Sequence, residues 1–327
     1  RQIFTLMRHE MIDLFYRTFL SLACIVFTTT VCEAQSRKPV ALRREALERA
    51  VQSLHGIACQ ATEKEGRLDL VILSGAAPGG LPNETTTREA LKRLLLYAPE
   101  VRTLRLLAFP VSDEGWTCIR NLKELESLEV VGSGFGDSDM RRVSEFARLR
   151  SLTIRAAAHG SEPRLTSLGL RDLRRLTNLQ SLELPATSLS DGDFRAFTEM
   201  TSLRSMTISG TSRNSTPVAF NLDGLAGLPD FERLELHCDQ ATDATMESLE
   251  RLKNLRSLAL TSSHVTGAGL AVLARMPSMT SLHLACPEIS DPDLGFLNQI
   301  NHLESLSLIN ARITDAGTKH LAHLKQL

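Results

Sequence analysis

Two histidines and two cysteines suggest the most specific chemistry in this sequence. His237 and Cys238 are adjacent, and His283 and Cys286 follow further along the chain. Imidazole and thiolate groups are the usual ligands of tetrahedral zinc. The two cysteines occupy equivalent positions of a repeated pattern, which predicts that they lie two strands apart, at about 9–10 Å. That separation is too large for a disulfide and unsuited to a shared ion, so we expect no metal site.

Enzyme motifs are not found elsewhere in the sequence. It contains no glycine-rich phosphate loop, no pair of histidines flanking a helical glutamate and no nucleophile elbow. We therefore expect a non-enzymatic protein without a cofactor. A catalytic domain beyond Leu327 is an alternative that the sequence leaves open.

Composition restricts the class of partner. Lysine and arginine total 37 against 38 aspartates and glutamates, and aromatic residues make up 5% of the chain. A dedicated nucleic-acid-binding protein usually has a basic excess and aromatic stacking surfaces, so we expect no nucleic-acid partner. The hydrophobic content of 43% indicates a folded chain.

The elements that must position any site follow from an internal repeat. The phrases beginning at Leu255, Met279 and Leu303 share the pattern L-x-x-L-x-L at intervals of 24 residues. The same first position is filled through most of the chain, by Val101, Leu125, Leu149, Leu179, Leu203, Phe231 and, at the end, Leu327. Seven of the nine intervals are 24 residues, and the other two are 30 and 28.

Each unit combines two periodicities. The L-x-L pair has the two-residue period of a strand, whereas Leu270, Leu273 and Met276 have the spacing of a short α or 3₁₀ helix. A Ser-Asp or Thr-Asp pair such as Thr242-Asp243 lies between them, where it can accept hydrogen bonds from the first helical N–H groups. Stacked units bury a shared core. Because helices are wider than strands, the expected shape is a right-handed α/β horseshoe with a parallel concave sheet and convex helices.

This pattern resembles the leucine-rich-repeat family over residues 101–327. The variants Ile313-Thr-Asp-Ala-Gly317 and Ile289-Ser-Asp-Pro-Asp-Leu294 are similar to short 24-residue bacterial, GALA-type and F-box-associated repeats. The family often has asparagine three residues after the last strand leucine. Here that position holds other residues, among them Phe109, Asp239 and Ser263, so the resemblance does not supply an asparagine ladder.

Residues between the strand leucines should face the concave surface. They form a mixed polar face with a column of serines, which is either a recognition surface or a merely solvated sheet. We expect partner binding by Arg105, Glu129, Arg155, Glu183, Arg233, Glu235, His237 and His283. The insertions in repeats three and five, between Ile154 and Leu165 and between Ile208 and Pro217, either form a lip beside that face or are tolerated surface loops.

The ends of the chain carry their own expectations. Arginines precede the apolar run Phe19–Phe27, and Cys32-Glu33-Ala34 offers a cleavage site, so residues 1–34 are expected to be a secretory signal peptide. A lipoprotein signal at Cys24 and a buried N-terminal helix are the alternatives. Residues 35–66 are expected to be a helical cap, 67–100 a degenerate first repeat, and 101–327 nine repeats truncated at the C-terminus.

The sequence supports two functional hypotheses. The first is a secreted or periplasmic module that binds a protein or peptide and has no membrane span in its mature chain. The second is a substrate-recognition adaptor of an F-box- or GALA-like ubiquitin-ligase type system, as the resemblance implies. The predicted signal peptide favours the first hypothesis, and residues 36–66 do not resemble an F-box.

Overall fold

The computed structural model describes residues 38–75, 82–132, 134–156, 163–186, 189, 192–210, 221–239, 241–276 and 278–327. The expected signal peptide, residues 1–34, lies outside the described residues. Most of the two inserted loops, 157–162 and 211–220, also lies outside them. The chain divides into two compact units, one formed by residues up to Arg102 with Val111–Glu124, the other by Thr103–Pro110 with Leu125–Leu327.

The described residues of the first unit form three helices and a β-hairpin. Its elements in chain order are α1 (Val40–Gln52), β1 (Ala58–Lys64), β2 (Arg67–Ser74), α2 (Glu84–Tyr97) and α3 (Asp113–Arg120). The hairpin is antiparallel, and its turn residues Glu65 and Gly66 both have positive φ, as tight hairpin turns require. Leu47 of α1 and Leu91 of α2 are fully or almost fully buried in this unit. The segment expected to be a helical cap, residues 35–66, contains α1 and β1. The segment expected to be a degenerate repeat, residues 67–100, contains β2 and α2.

The second unit repeats a strand followed by a short helix. Its strands are β3 (Thr103–Leu107), β4 (Ser127–Val131), β5 (Ser151–Arg155), β6 (Ser181–Pro185), β7 (Ser205–Ser209), β8 (Arg233–His237), β9 (Ser257–Thr261), β10 (Ser281–Ala285) and β11 (Ser305–Ile309). Its α-helices are α4 (Asp137–Val143), α5 (Ser167–Asp172), α6 (Asp243–Leu249), α7 (Gly267–Leu273) and α8 (Asp315–Leu321). Its 3₁₀ helices are Leu173–Arg175, Asp193–Phe197, Leu222–Leu225 and Asp291–Gln299.

The nine strands of this unit are parallel neighbours in chain order, with matching positions side by side. Leu258 pairs with Leu282, which pairs with Leu306 on the next strand. This register confirms the predicted fold class: the unit is an α/β solenoid of the leucine-rich-repeat type with a parallel sheet. A one-residue error in the assigned phase would have placed the leucines on the exposed face.

The core lies between the sheet and the helices. In most strands the residues alternate between partly exposed and buried, and Leu258 and Leu282 each retain 1% exposure. Leu306, which the repeat predicts to be equally buried, is only partly buried in β11. The reason is that β11 has a strand neighbour on one side only among the described residues.

Aspartates at the helix starts tie successive repeats together, a contact that the sequence did not predict. Asp243 accepts hydrogen bonds from the Thr266 amide at 2.9 Å, the Thr266 hydroxyl at 2.7 Å and the Gly269 amide at 3.1 Å. Asp291 likewise binds Thr314 in the next repeat. The threonine still caps its own helix, since the Thr266 hydroxyl accepts from the Ala268 amide. The expected capping of a helix by its own Ser/Thr-Asp pair is thus made by the threonine, and Asp243 and Asp291 bond to the next repeat instead.

Candidate functional site

The exposed face of the sheet in the second unit carries every residue expected to bind a partner. Strand side chains alternate, so the positions between the buried leucines share this face. We call it the sheet face and define it by the three residues of each strand from β3 to β11 that lie between or beside the two buried positions. Arg105, Glu129 and Glu183 stand in its middle column, as do Glu235 and His283.

Four of the expected residues form a charge network at one end of the face. Arg105 Nε donates to Glu129 Oε2 at 2.5 Å, across neighbouring strands. Arg155 makes two parallel bonds to Glu183, at 2.5 and 2.6 Å, and lies 3.7 Å from Glu129. Paired Arg–carboxylate bonds of this kind fix orientation as well as charge.

The network is close to electrically neutral and well supported. The hydrogen bond to Glu183 raises the pKa of Arg155, with the nearby carboxylate charges adding to the effect and burial opposing it. The Ser209 hydroxyl donates to the same Glu183 carboxylate at 3.0 Å. Because each charge already has a partner, the charges in this part of the face cannot rearrange without losing a bond.

The other end of the face is more open. Glu235 and His237 lie 3.3 Å apart on β8, and His237 also contacts the Thr261 hydroxyl at 3.3 Å. Arg233 is exposed between two serine neighbours and makes no side-chain hydrogen bond or ion pair among the described residues. His283 is partly exposed between the small residues Ala259 and Ser307. Arg233 and His283 therefore have room to accept a ligand without first breaking an internal bond.

The serine column runs beside these charged groups. Ser127, Ser151, Ser181 and Ser205 occupy the same position of successive strands, and the Ser205 hydroxyl donates to the Ser181 hydroxyl at 3.1 Å. Short hydroxyl side chains leave the neighbouring backbone accessible. The column therefore provides a shallow strip of donors and acceptors alongside the charges.

The structure separates the histidines from the cysteines of the supposed zinc cluster. Cys238 and Cys286 are buried at 1% and 0% exposure, whereas His237 lies partly exposed on the sheet face. No group of three His, Cys, Asp or Glu side chains in the described part of the chain is arranged to hold a metal ion. The four described cysteines are not joined to one another by disulfides, and burial raises the pKa of Cys59 to about 12 and that of Cys286 to about 11.

The sequence led us to expect no membrane span in the mature chain. Among the residues that the structure describes, no helix has both the length and the apolar character needed to cross a bilayer.

Comparison with solved structures gives distant likenesses. No family model matches the chain, and a search of curated proteins finds no relative. Among solved structures, internalin C2 of Listeria monocytogenes is 17% identical, with a TM-score of 0.38 and coverage of 89% of this chain and 94% of that one. An internalin, inlF, of the same organism is 15% identical, with a TM-score of 0.33 and coverage of 88% and 94%.

The match to a third solved structure covers a smaller part of that protein. TLR13 in its complex with ssRNA13 is 17% identical, with a TM-score of 0.48, and the match spans 69% of this chain but 35% of that one. None of these likenesses bears on what this chain binds, so its function has to be argued from the sheet face itself.

Proposed function

We propose that the protein is a non-enzymatic, exported module that binds a protein or peptide through its sheet face, with the inserted loops of repeats three and five contributing to the site. The observation that supports this is the alignment of polar, partly exposed residues across nine parallel strands. A continuous face of this kind suits an extended or flat partner.

The two ends of the face are proposed to play different parts. The network of Arg105, Glu129, Arg155 and Glu183 presents a fixed surface that a partner contacts as it stands. Arg233 and His283 lie on the open end and are free to form new bonds. A residue that is only hydrated in the free protein contributes more net affinity than one that must first give up an internal bond. We therefore assign the main binding contacts to Arg233 and His283, whereas His237 already contacts Glu235 and Thr261.

Peptide selection tests this assignment. Peptides would be selected from a random displayed library against the purified chain and their affinities measured. Replacing Arg233 by Glu together with His283 by Ala should weaken binding by about tenfold or more, if these are central contacts. Arg251→Ala, on the helical side of the same unit, is the matched control and should change affinity by less than about twofold. Equal affinity for both variants would rule out the sheet face as the site.

Export is proposed from the pattern of residues 1–34. Exported proteins meet oxidising conditions, in which unpaired cysteines are a liability. Burial of Cys59 and Cys286 reduces that liability, because a cysteine with a raised pKa forms little thiolate and resists oxidation. Cell fractionation with mass spectrometry of the N-terminus tests the idea, and cleavage before Gln35 is the expected result. An uncleaved protein in the cytosol would contradict export and favour the adaptor hypothesis.

A further inference from the structure

The helical side of the second unit contains a basic groove that the sheet face does not involve. Residues 141–175 contain nine arginines but only three acidic residues, in a chain whose formal net charge is −1. Three arginines, Arg171, Arg174 and Arg195, line a groove of about 500 Å³ between the outer helices of repeats three and four. We call it the arginine groove. Its volume is within the range of small-molecule sites.

A second groove at the matching place in repeats six and seven provides an internal comparison. This glutamate groove, of about 640 Å³, has Glu247 and Glu250 where the arginine groove has Arg171 and Arg174. On its opposite wall stands Arg275, in the position that Glu199 occupies in the arginine groove. At these matching positions the charges of the two grooves are reversed, but Arg251 and Lys253 also line the glutamate groove, so its lining residues sum to one positive charge as well.

The two grooves differ in whether their charges are satisfied. In the glutamate groove, Arg275 Nη2 lies 3.0 Å from Glu250 Oε2, so the pair closes across the groove. In the arginine groove the equivalent Arg174 and Glu199 form no ion pair. Arg171 and Arg195 also have no hydrogen-bonded or ionic side-chain partner within the described residues.

Three unpaired arginines stand together at this groove, although single unpaired arginines such as Arg233 occur elsewhere in the described part of the chain. Many of its other described arginines are bound to a carboxylate, for example Arg256 to Glu232 and Arg312 to Glu288. Three unpaired guanidinium groups around one groove produce a concentrated positive potential. Two acidic groups also line the groove: Asp193, which is buried, and Glu199, which is exposed. They leave an excess of one positive charge among the lining residues.

We propose that the arginine groove is an anion-binding site for a ligand that carries two or more adjacent phosphate groups. The guanidinium group is planar and presents paired N–H donors that match phosphate oxygens. Arg171 and Arg174 lie on one wall and Arg195 on the other, so a chain of phosphates bridges both walls, whereas a single phosphate reaches only part of the set. The Ser167 hydroxyl at the edge of the groove adds a neutral donor.

Calorimetric titration of the full chain with tripolyphosphate, at about 0.15 M salt to limit diffuse attraction, tests the proposal. One saturable site is expected, with orthophosphate binding at least about tenfold more weakly because it contacts fewer arginines. Adenosine triphosphate is a second probe: equal affinity would indicate that only the phosphates are recognised, and tighter binding that an attached group is recognised too. No saturable binding of either probe would overturn the proposal.

Two variants separate specific binding from general attraction. Arg171→Glu with Arg174→Glu copies the residues at the matching positions of the glutamate groove, and both side chains are exposed, so folding should be retained. This variant should lose binding by about tenfold or more. Arg275→Ala removes an arginine from the other groove and should change the affinity by less than about twofold. Equal losses in both would show diffuse attraction and refute the site.

A third variant tests the direction of the effect. Glu199→Gln removes the exposed carboxylate that opposes the anion, and it should tighten tripolyphosphate binding by about twofold to fivefold. Weaker binding in Glu199→Gln would contradict the arrangement described here. Circular dichroism of every variant provides the check on folding.

Discussion

The aspartate that joins two repeats makes a quantitative prediction possible. Asp243 accepts three hydrogen bonds from the next repeat, two from Thr266 and one from Gly269. A hydrogen bond to a charged group contributes about 1.5–3 kcal/mol. The site is only partly buried, so water replaces part of the loss when the carboxylate is removed. Asp243→Ala should therefore reduce the free energy of unfolding by about 2–4 kcal/mol.

The repeat supplies a matched control for this change. Asp315 occupies the same position at the start of α8, and it is exposed and makes no side-chain bond to another repeat among the described residues. Asp315→Ala should therefore cost less than about 1 kcal/mol, which is the usual contribution of an acidic residue in the first turn of a helix. Urea unfolding followed by circular dichroism measures both. Equal costs for the two variants would refute the role given to the bond between repeats.

A glycine opposite the aspartate extends the test. A Cβ atom at Gly269 would lie 2.4 Å from Asp243 Oδ1, so Gly269→Ala should destabilise the protein by about 1–3 kcal/mol. In an Asp243→Ala background that contact is gone, although Met246 and Val265 still lie close. The cost of Gly269→Ala should then fall below about 1 kcal/mol, partly because alanine favours helix. Strict additivity of the two changes would show that the residues are not coupled.

Three further predictions concern burial and protonation. Leu258→Ala and Leu282→Ala should each cost about 2–5 kcal/mol in urea unfolding, and Leu306→Ala less, because Leu306 is only partly buried. Hydrogen bonds from Thr314 lower the pKa of Asp291 in the folded protein. The ionised carboxylate therefore stabilises the fold at pH values above its ordinary pKa, and this stabilisation is lost as the pH falls through the lower folded pKa. The difference in unfolding free energy between Asp291→Asn and the unaltered chain should shrink below about pH 4. Cys286, with its raised pKa, should react with iodoacetamide at pH 8 only after unfolding, and reaction in the folded protein would contradict its burial.

The strands could be predicted from the sequence because their signal is redundant. The same leucine positions recur in unit after unit, and the two-residue alternation fixes which residues are exposed. A single irregular unit would not disturb such a pattern. The assignment of Arg105, Glu129 and their neighbours to one face follows from that phase, and the structure places them there. Their role in binding stays a prediction.

The pairing of the charges could not be predicted in the same way. Arg155 stands beside both Glu129 and Glu183, and strand register alone does not say which it binds. The side chain makes two bonds to Glu183 and only approaches Glu129 at 3.7 Å. Long side chains choose among partners at similar distances by rotamer and solvation, which a repeat pattern does not encode.

Aspartates and glycines are paired between adjacent repeats at the starts of the helices. Asp243 is matched by Gly269 in the next unit, and Asp291 by Gly317. Between them the order is reversed: Gly267 is matched by Asp293, whose carboxylate occupies the space that a Cβ at Gly267 would need. Each aspartate is therefore compatible with a glycine in one particular neighbour, so the units are not interchangeable. Replacing the sequence of α7 by that of α6 would put an aspartate at position 267, against Asp293. The resulting loss in the free energy of unfolding would measure how far these pairs, beyond the shared leucines, specify the order of the repeats.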